Sequence, residues 1–71
     1  MYGGKIMERL TEREIQVLSM IVRGEHNNKI AERLGITVHT VKVYVTNIME
    51  KFNAKNRTEV AFLAGKYKIV D

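Results

Sequence analysis

Residues Thr37 to Phe52 (Thr-Val-His-Thr-Val-Lys-Val-Tyr-Val-Thr-Asn-Ile-Met-Glu-Lys-Phe) constrain this chain more than any other stretch. At 3.6 residues per turn, Val41, Val45, Ile48 and Phe52 fall on one side of a helix and require a core. The opposite side carries His39, Lys42, Val43 and Thr46, with no acid before Glu50 near the far end. Two readings fit that outer face. One is an ordinary solvated surface. The other is a helix with an apolar back and a basic, acid-free leading end, the shape that enters a DNA major groove.

The flanking segments bear on that choice. Leu10-Thr11-Glu12-Arg13-Glu14 predicts a helix start, with Thr11 capping the amides and Glu14 reaching back three residues. Leu10 and Ile15 have the spacing of a hydrophobic staple. The helix should run over about 12–23, with Ile15, Leu18, Ile21 and Val22 inward, and stop at Gly24 in the left-handed conformation. A second, short helix over 27–34 turns Ile30, Ala31 and Leu34 inward and stops at Gly35. Ile36 plugs the turn and Thr37 caps the third helix, 38–52, which Asn53 ends. Asn56 caps a fourth helix over 57–66, with Glu59 repeating the capping interval. The fold class is therefore all-α, four helices containing a helix-turn-helix. Residues 1–9, with Tyr2-Gly3-Gly4, read as a flexible segment or linker remnant onto which Ile6 and Met7 add apolar groups, and 10–71 as the domain.

The fourth helix holds Val60, Ala61, Phe62, Leu63 and Ala64 in succession. Consecutive helical positions differ by about 100°, so these five point all round the cylinder and one small core cannot cover them all. The surplus fits a second copy packed about a two-fold axis, making these five the candidate dimer interface. The alternative is that the N-terminal segment or the Tyr67-Lys68-Ile69-Val70 tail folds over it.

Composition narrows the function classes. The chain has 71 residues, no cysteine and no proline, and a formal charge of +4. Most of the excess lies beyond Gly35, where Lys42, Lys51, Lys55, Arg57, Lys66 and Lys68 face only Glu50, Glu59 and Asp71. That bias points modestly to a polyanion. His26 and His39 stand apart without nearby acids, so neither a metal site nor a cofactor is expected. No apolar run approaches the roughly 20 residues of a membrane span. The lack of cysteine and of an export signal fits a reducing cytoplasm. Without a credible acid–base pair, and with too little chain to enclose a small-molecule pocket, the chain is not expected to be an enzyme.

Taken in order, Leu10-Thr11-Glu12-Arg13-Glu14, Val17-Leu18, Gly24, Asn27, Ile30-Ala31, Leu34, Ile36-Thr37, Thr40-Val41-Lys42, Asn47-Ile48, Lys51-Phe52 and Arg57-Thr58-Glu59 resemble the LuxR/FixJ/NarL-type (GerE-like) helix-turn-helix family. The resemblance covers nearly all of 10–64 and implies the DNA-binding domain of a bacterial transcription regulator, and with it a bacterial cytoplasm. Such a domain is either the output domain of a response regulator in a two-component system or a free-standing regulator. It implies that the third helix reads DNA and the fourth carries a homodimer contact, with RNA polymerase as a further partner. By position, Lys42 and Val43 become base readers, with Thr46 one turn on and His39 at the leading edge. Thr40 and Tyr44 fall at phosphate-holding positions, as do Asn27 and Asn28. His26 stands where the family usually has serine or threonine, leaving Asn27 or the imidazole to cap the second helix. Asn28 replaces a frequent lysine, and Lys29 restores that charge one residue along.

The chemistry of these side chains agrees, with alternatives open. Lys42 can donate to guanine or reach a phosphate, or be simply solvated. Val43 gains nothing from water but can meet a thymine methyl. Thr46 can read a base or sit in solvent, and His39 can contact a base or a phosphate. Tyr44 offers a hydroxyl to phosphate or a ring to the core. Lys51, Lys55 and Arg57 would add attraction to the backbone, Arg57 alternatively serving as an ion pair or cap at the fourth helix. The reading is sequence-specific binding of double-stranded DNA as a homodimer, regulating transcription. The alternatives are the promoter-reading helix-turn-helix of a sigma factor and a helical protein-interaction module.

Overall fold

The computed structural model describes residues 9–69, and in that range four helices follow one another: α1 (Glu12–Val22), α2 (Asn27–Leu34), α3 (Val38–Phe52) and α4 (Arg57–Lys66). The expected flexible segment, apart from Arg9, lies outside the described residues, as do Ile6, Met7 and the last two residues of the chain.

Three of the four starts follow from a polar side chain satisfying amides that a helix leaves open. Thr11 Oγ1 accepts from the Glu14 amide at 3.1 Å and Glu14 Oε1 accepts from the Thr11 amide at 2.9 Å, the reciprocal box expected from the sequence. Thr37 Oγ1 accepts from the Thr40 amide at 3.1 Å to start α3. Asn56 Oδ1 accepts from the Glu59 amide at 2.8 Å to start α4. There the box is shifted by one residue, because the Glu59 carboxylate accepts from the Lys55 amide at 2.7 Å rather than from that of Asn56. His26 occupies the cap position of α2 and makes no capping bond with its side chain.

All four helices end the same way. A residue with positive φ turns the chain back, and the following amide bonds to the carbonyl five residues earlier. The turning residues are Gly24 (φ 83°), Gly35 (φ 67°), Asn53 (φ 55°) and Lys68 (φ 54°). The closing bonds run from Glu25 to Met20, Ile36 to Ala31, Ala54 to Met49 and Ile69 to Ala64, at 2.9 to 3.0 Å. α1 stops one residue before the expected boundary because Arg23 is already its cap, its amide reaching Ser19 and Ile21. Lys68 as a left-handed residue is not foreshadowed by its type. It is placed there because Ile69, beyond it, is buried in the core.

α3 is the central element, packing against each of the other three helices, while α1 and α4 pack on each other. Val41, Ile48 and Phe52 are fully buried on its inner side beside Val45, against Val17, Leu18 and Ile21 of α1, Ile30 and Ala31 of α2, and Val60 and Ala64 of α4. Leu10 is buried and Ile15 half-buried against the same cluster.

That core corrects the α4 expectation. Val60 and Ala64, four residues apart on one side of α4, are fully buried in the chain's own interior and unavailable to a second copy. Ala61 and Leu63 are half-buried, and only Phe62 of the five is exposed, at 63 %. The tail supplies Ile69 to the core but leaves Phe62 and Tyr67 open, with Lys66 Nζ 5.8 Å and 5.5 Å from the centres of their rings.

Candidate nucleic-acid interface

Burying Val41, Val45, Ile48 and Phe52 fixes the roll of α3 and so decides what its other side presents. His39, Lys42, Val43, Thr46 and Asn47 are all exposed there and together line one shallow depression. Val43 is 47 % exposed, an aliphatic group set outward between a cation and a hydroxyl. The first turn of α3 has no acid, and Glu50 stands at its far end. The four residues expected to read bases are thus on one continuous surface. Asn47 shares that surface.

The start of α3 adds oriented polar groups. Thr37 and Thr40 share a hydroxyl–hydroxyl bond of 3.0 Å, so one of the two protons of this pair is directed within it. Tyr44 is half-buried, its ring against the core. Of the two side-chain roles open for Tyr44, ring packing is therefore in place, whatever its hydroxyl contacts.

The remaining candidates for phosphate binding separate into groups. Asn28 and Lys55 are exposed, and among the described residues neither side chain makes a hydrogen bond or ion pair. Lys29 is exposed and pairs with Glu32 at 3.1 Å, a contact too solvated to hold it firmly. Lys51 is differently placed from the rest. Its ammonium donates to Glu14 Oε1 at 2.6 Å and to the Arg9 carbonyl at 2.8 Å, which ties it to α1. Its charge is thus partly offset by a buried carboxylate, which weakens the attraction it can add to a polyanion. Arg57 is half-buried and donates to Asn27 Oδ1 and, at 2.9 Å, to the Glu25 carbonyl. It thus neither pairs with an acid nor caps α4, but joins the start of α4 to the start of α2.

Sequence reasoning missed the turn between α1 and α2 as a polar junction. Glu25 accepts from Arg33 Nε at 2.6 Å and lies 3.9 Å from Arg23, in addition to lending its carbonyl to Arg57. No periodicity signals these contacts, which join residues 8 and 32 apart. Among the described residues no group of histidines and acids could hold a metal ion, and no helix is long and apolar enough to cross a membrane.

Two helices joined by the Gly35–Thr37 turn, the second exposing an acid-free face with a cation, a valine and a hydroxyl, define a helix-turn-helix domain for nucleic acid. Comparison with known proteins gives the family. The chain belongs to the bacterial regulatory proteins of the luxR family, whose GerE model matches residues 8–64. It is 41 % identical over 64 residues to the transcriptional regulatory protein LiaR of Bacillus subtilis (strain 168), a match covering 90 % of this chain and 30 % of LiaR. It is 36 % identical over 66 residues to the response regulator protein VraR of Staphylococcus aureus (strain Mu3 / ATCC 700698), covering 93 % of this chain and 32 % of VraR. The chain therefore spans about a third of the length of these curated relatives. As a luxR-type helix-turn-helix it is a DNA-binding domain of the transcription-regulator class, and that membership decides against the sigma-factor alternative.

Proposed function

We propose that this domain binds specific double-stranded DNA sequences as a homodimer and serves as the output domain of a transcription regulator. The observation that carries the reading is the outward placement of Val43 between Lys42 and Thr46 on α3, opposite the buried Val41–Val45–Ile48–Phe52 stripe. Lys42 donates to guanine O6 or N7, Val43 meets a thymine methyl, and Thr46 and His39 add polar contacts at the two ends. Thr40, Tyr44, Asn27, Asn28, Lys29 and Lys55 hold the backbone on either side of the groove. Phe62, with Ala61 and Leu63 beside it, forms the contact between copies, so that each copy reads one half-site about one helical turn from the other.

Selecting bound duplexes from a random pool tests this directly. Enrichment of two-fold-related half-sites spaced by about one turn (~34 Å) is expected. Salt-sensitive binding with no enriched sequence would leave only a basic surface and refute the specific reading.

A further inference from the structure

Arg57, at the first position of α4, spends neither of its two bonds on a carboxylate. Nη1 donates to Asn27 Oδ1 and Nη2 to the Glu25 carbonyl, both neutral acceptors, so neither bond sets a carboxylate against the guanidinium. A guanidinium has donors only. The Asn27 amide must therefore turn its oxygen toward Arg57 and its Nδ2 group away, an orientation fixed by chemistry rather than by choice of fit. Among the described residues Nδ2 has no acceptor.

Asn27 and Arg57 also line a cleft of about 350 Å³ with Lys42, Val45, Thr46 and Met49, between the start of α2 and the outer edge of α3. Its wall contains donors or hydroxyls and apolar groups, and no acid. Lys42 and Thr46 border this cleft on one side and the depression holding His39 and Val43 on the other. Asn27 thus stands on the wall of an acid-free cleft that borders the base-reading surface.

We infer that Arg57 is a positioning residue for DNA-backbone binding: by holding Asn27 Oδ1 it presents Asn27 Nδ2 as a fixed donor to a phosphate oxygen at the cleft. Arg57 acts through Asn27 rather than as the primary ligand, and because it belongs to α4 it sets that donor in register with the helix proposed to carry the second copy. The inference rests on the reading of this domain as a binder of duplex DNA.

The test uses the whole chain with two probes, a random-sequence duplex and the duplex enriched by selection. Asn27→Asp keeps an oxygen for Arg57 but replaces the Nδ2 donor by a carboxylate oxygen. It is expected to melt at the wild-type temperature or above while losing affinity about tenfold or more on both probes. In the wild type, the Asn27 side-chain amide resonances should shift when random duplex is added, and in Arg57→Met that shift should vanish. Wild-type affinity in Asn27→Asp, or Asn27 amide resonances indifferent to duplex, would overturn the inference while leaving duplex binding intact. Failure of the wild type itself to bind either duplex at low salt would remove both. Should Arg57→Met not fold, the Asn27→Asp affinity and the wild-type titration still decide.

Discussion

Lys51 and Glu14, 37 residues apart in sequence, meet at 2.6 Å between Nζ and Oε1 and fasten the start of α1 to the end of α3. Glu14 is buried, 4 % exposed, and its same oxygen also accepts the Thr11 amide. Burial alone would raise its pKa, but the Lys51 bond and charge and the Thr11 groups outweigh it and hold the carboxyl below its usual value of 4.5. With the folded pKa below the unfolded one, ionised Glu14 stabilises the fold fully above about pH 4.5, and that contribution is lost as pH falls through the folded value. Thermal melts should thus decline on the acid side, and Glu14→Gln should flatten part of that decline. Lys51→Met, which strands a buried carboxylate, is expected to cost about 3 kcal/mol near pH 7. An unchanged acid limb in Glu14→Gln would refute the linkage.

Lys42→Ala should weaken binding to the selected duplex by about 1–3 kcal/mol while affecting random duplex less, since a base contact carries sequence and a phosphate contact does not. Equal losses on both, with a smaller salt slope, would reassign Lys42 to the backbone.

Two valines two residues apart should behave oppositely. Val41 has no exposed surface and Val43 is 47 % exposed. Truncating Val41 to alanine removes buried methyl groups and leaves a void, at about 2–3 kcal/mol by denaturant unfolding. Val43→Ala should change stability by no more than about 0.5 kcal/mol and instead relax the preference at a thymine-bearing position. A retained preference would mean that Val43 meets no base.

Phe62→Glu places a charge on an exposed position and should leave the melting temperature nearly unchanged. Its expected effect is a larger loss of affinity for a paired site than for an isolated half-site, read by gel shift alongside sedimentation. One wild-type copy per full site would contradict the two-copy arrangement. Val60→Asp, in contrast, buries an unpaired carboxylate and should unfold the domain.

The left-handed stops give a further pair. Gly35 has open space where a Cβ would stand, so Gly35→Ala tests backbone strain alone and should cost about 1 kcal/mol. Lys68 holds φ 54° with a side chain, and Lys68→Gly should lose little or gain up to about 1 kcal/mol. A clear loss would assign the Lys68 side chain a contact of its own.

The sequence by itself determined most of what depends on near neighbours. Thr11, Thr37 and Asn56 cap helices because their oxygens reach amides three residues on, and Gly24, Gly35 and Asn53 stop them because those residue types tolerate positive φ. The apolar stripe of α3 set which way that helix rolls, and with it the outward set at positions 39, 42, 43 and 46. Tertiary structure alone decided how α4 divides, with Val60 and Ala64 inward and Phe62 outward, because five successive apolar residues carry no periodicity to choose a face. It also decided what each cation does. Lysines and arginines are interchangeable in a charge count, but Lys51 closes on Glu14 and Arg57 on Asn27 through contacts 37 and 30 residues long. Such pairings are set by how the helices pack, which no local pattern encodes.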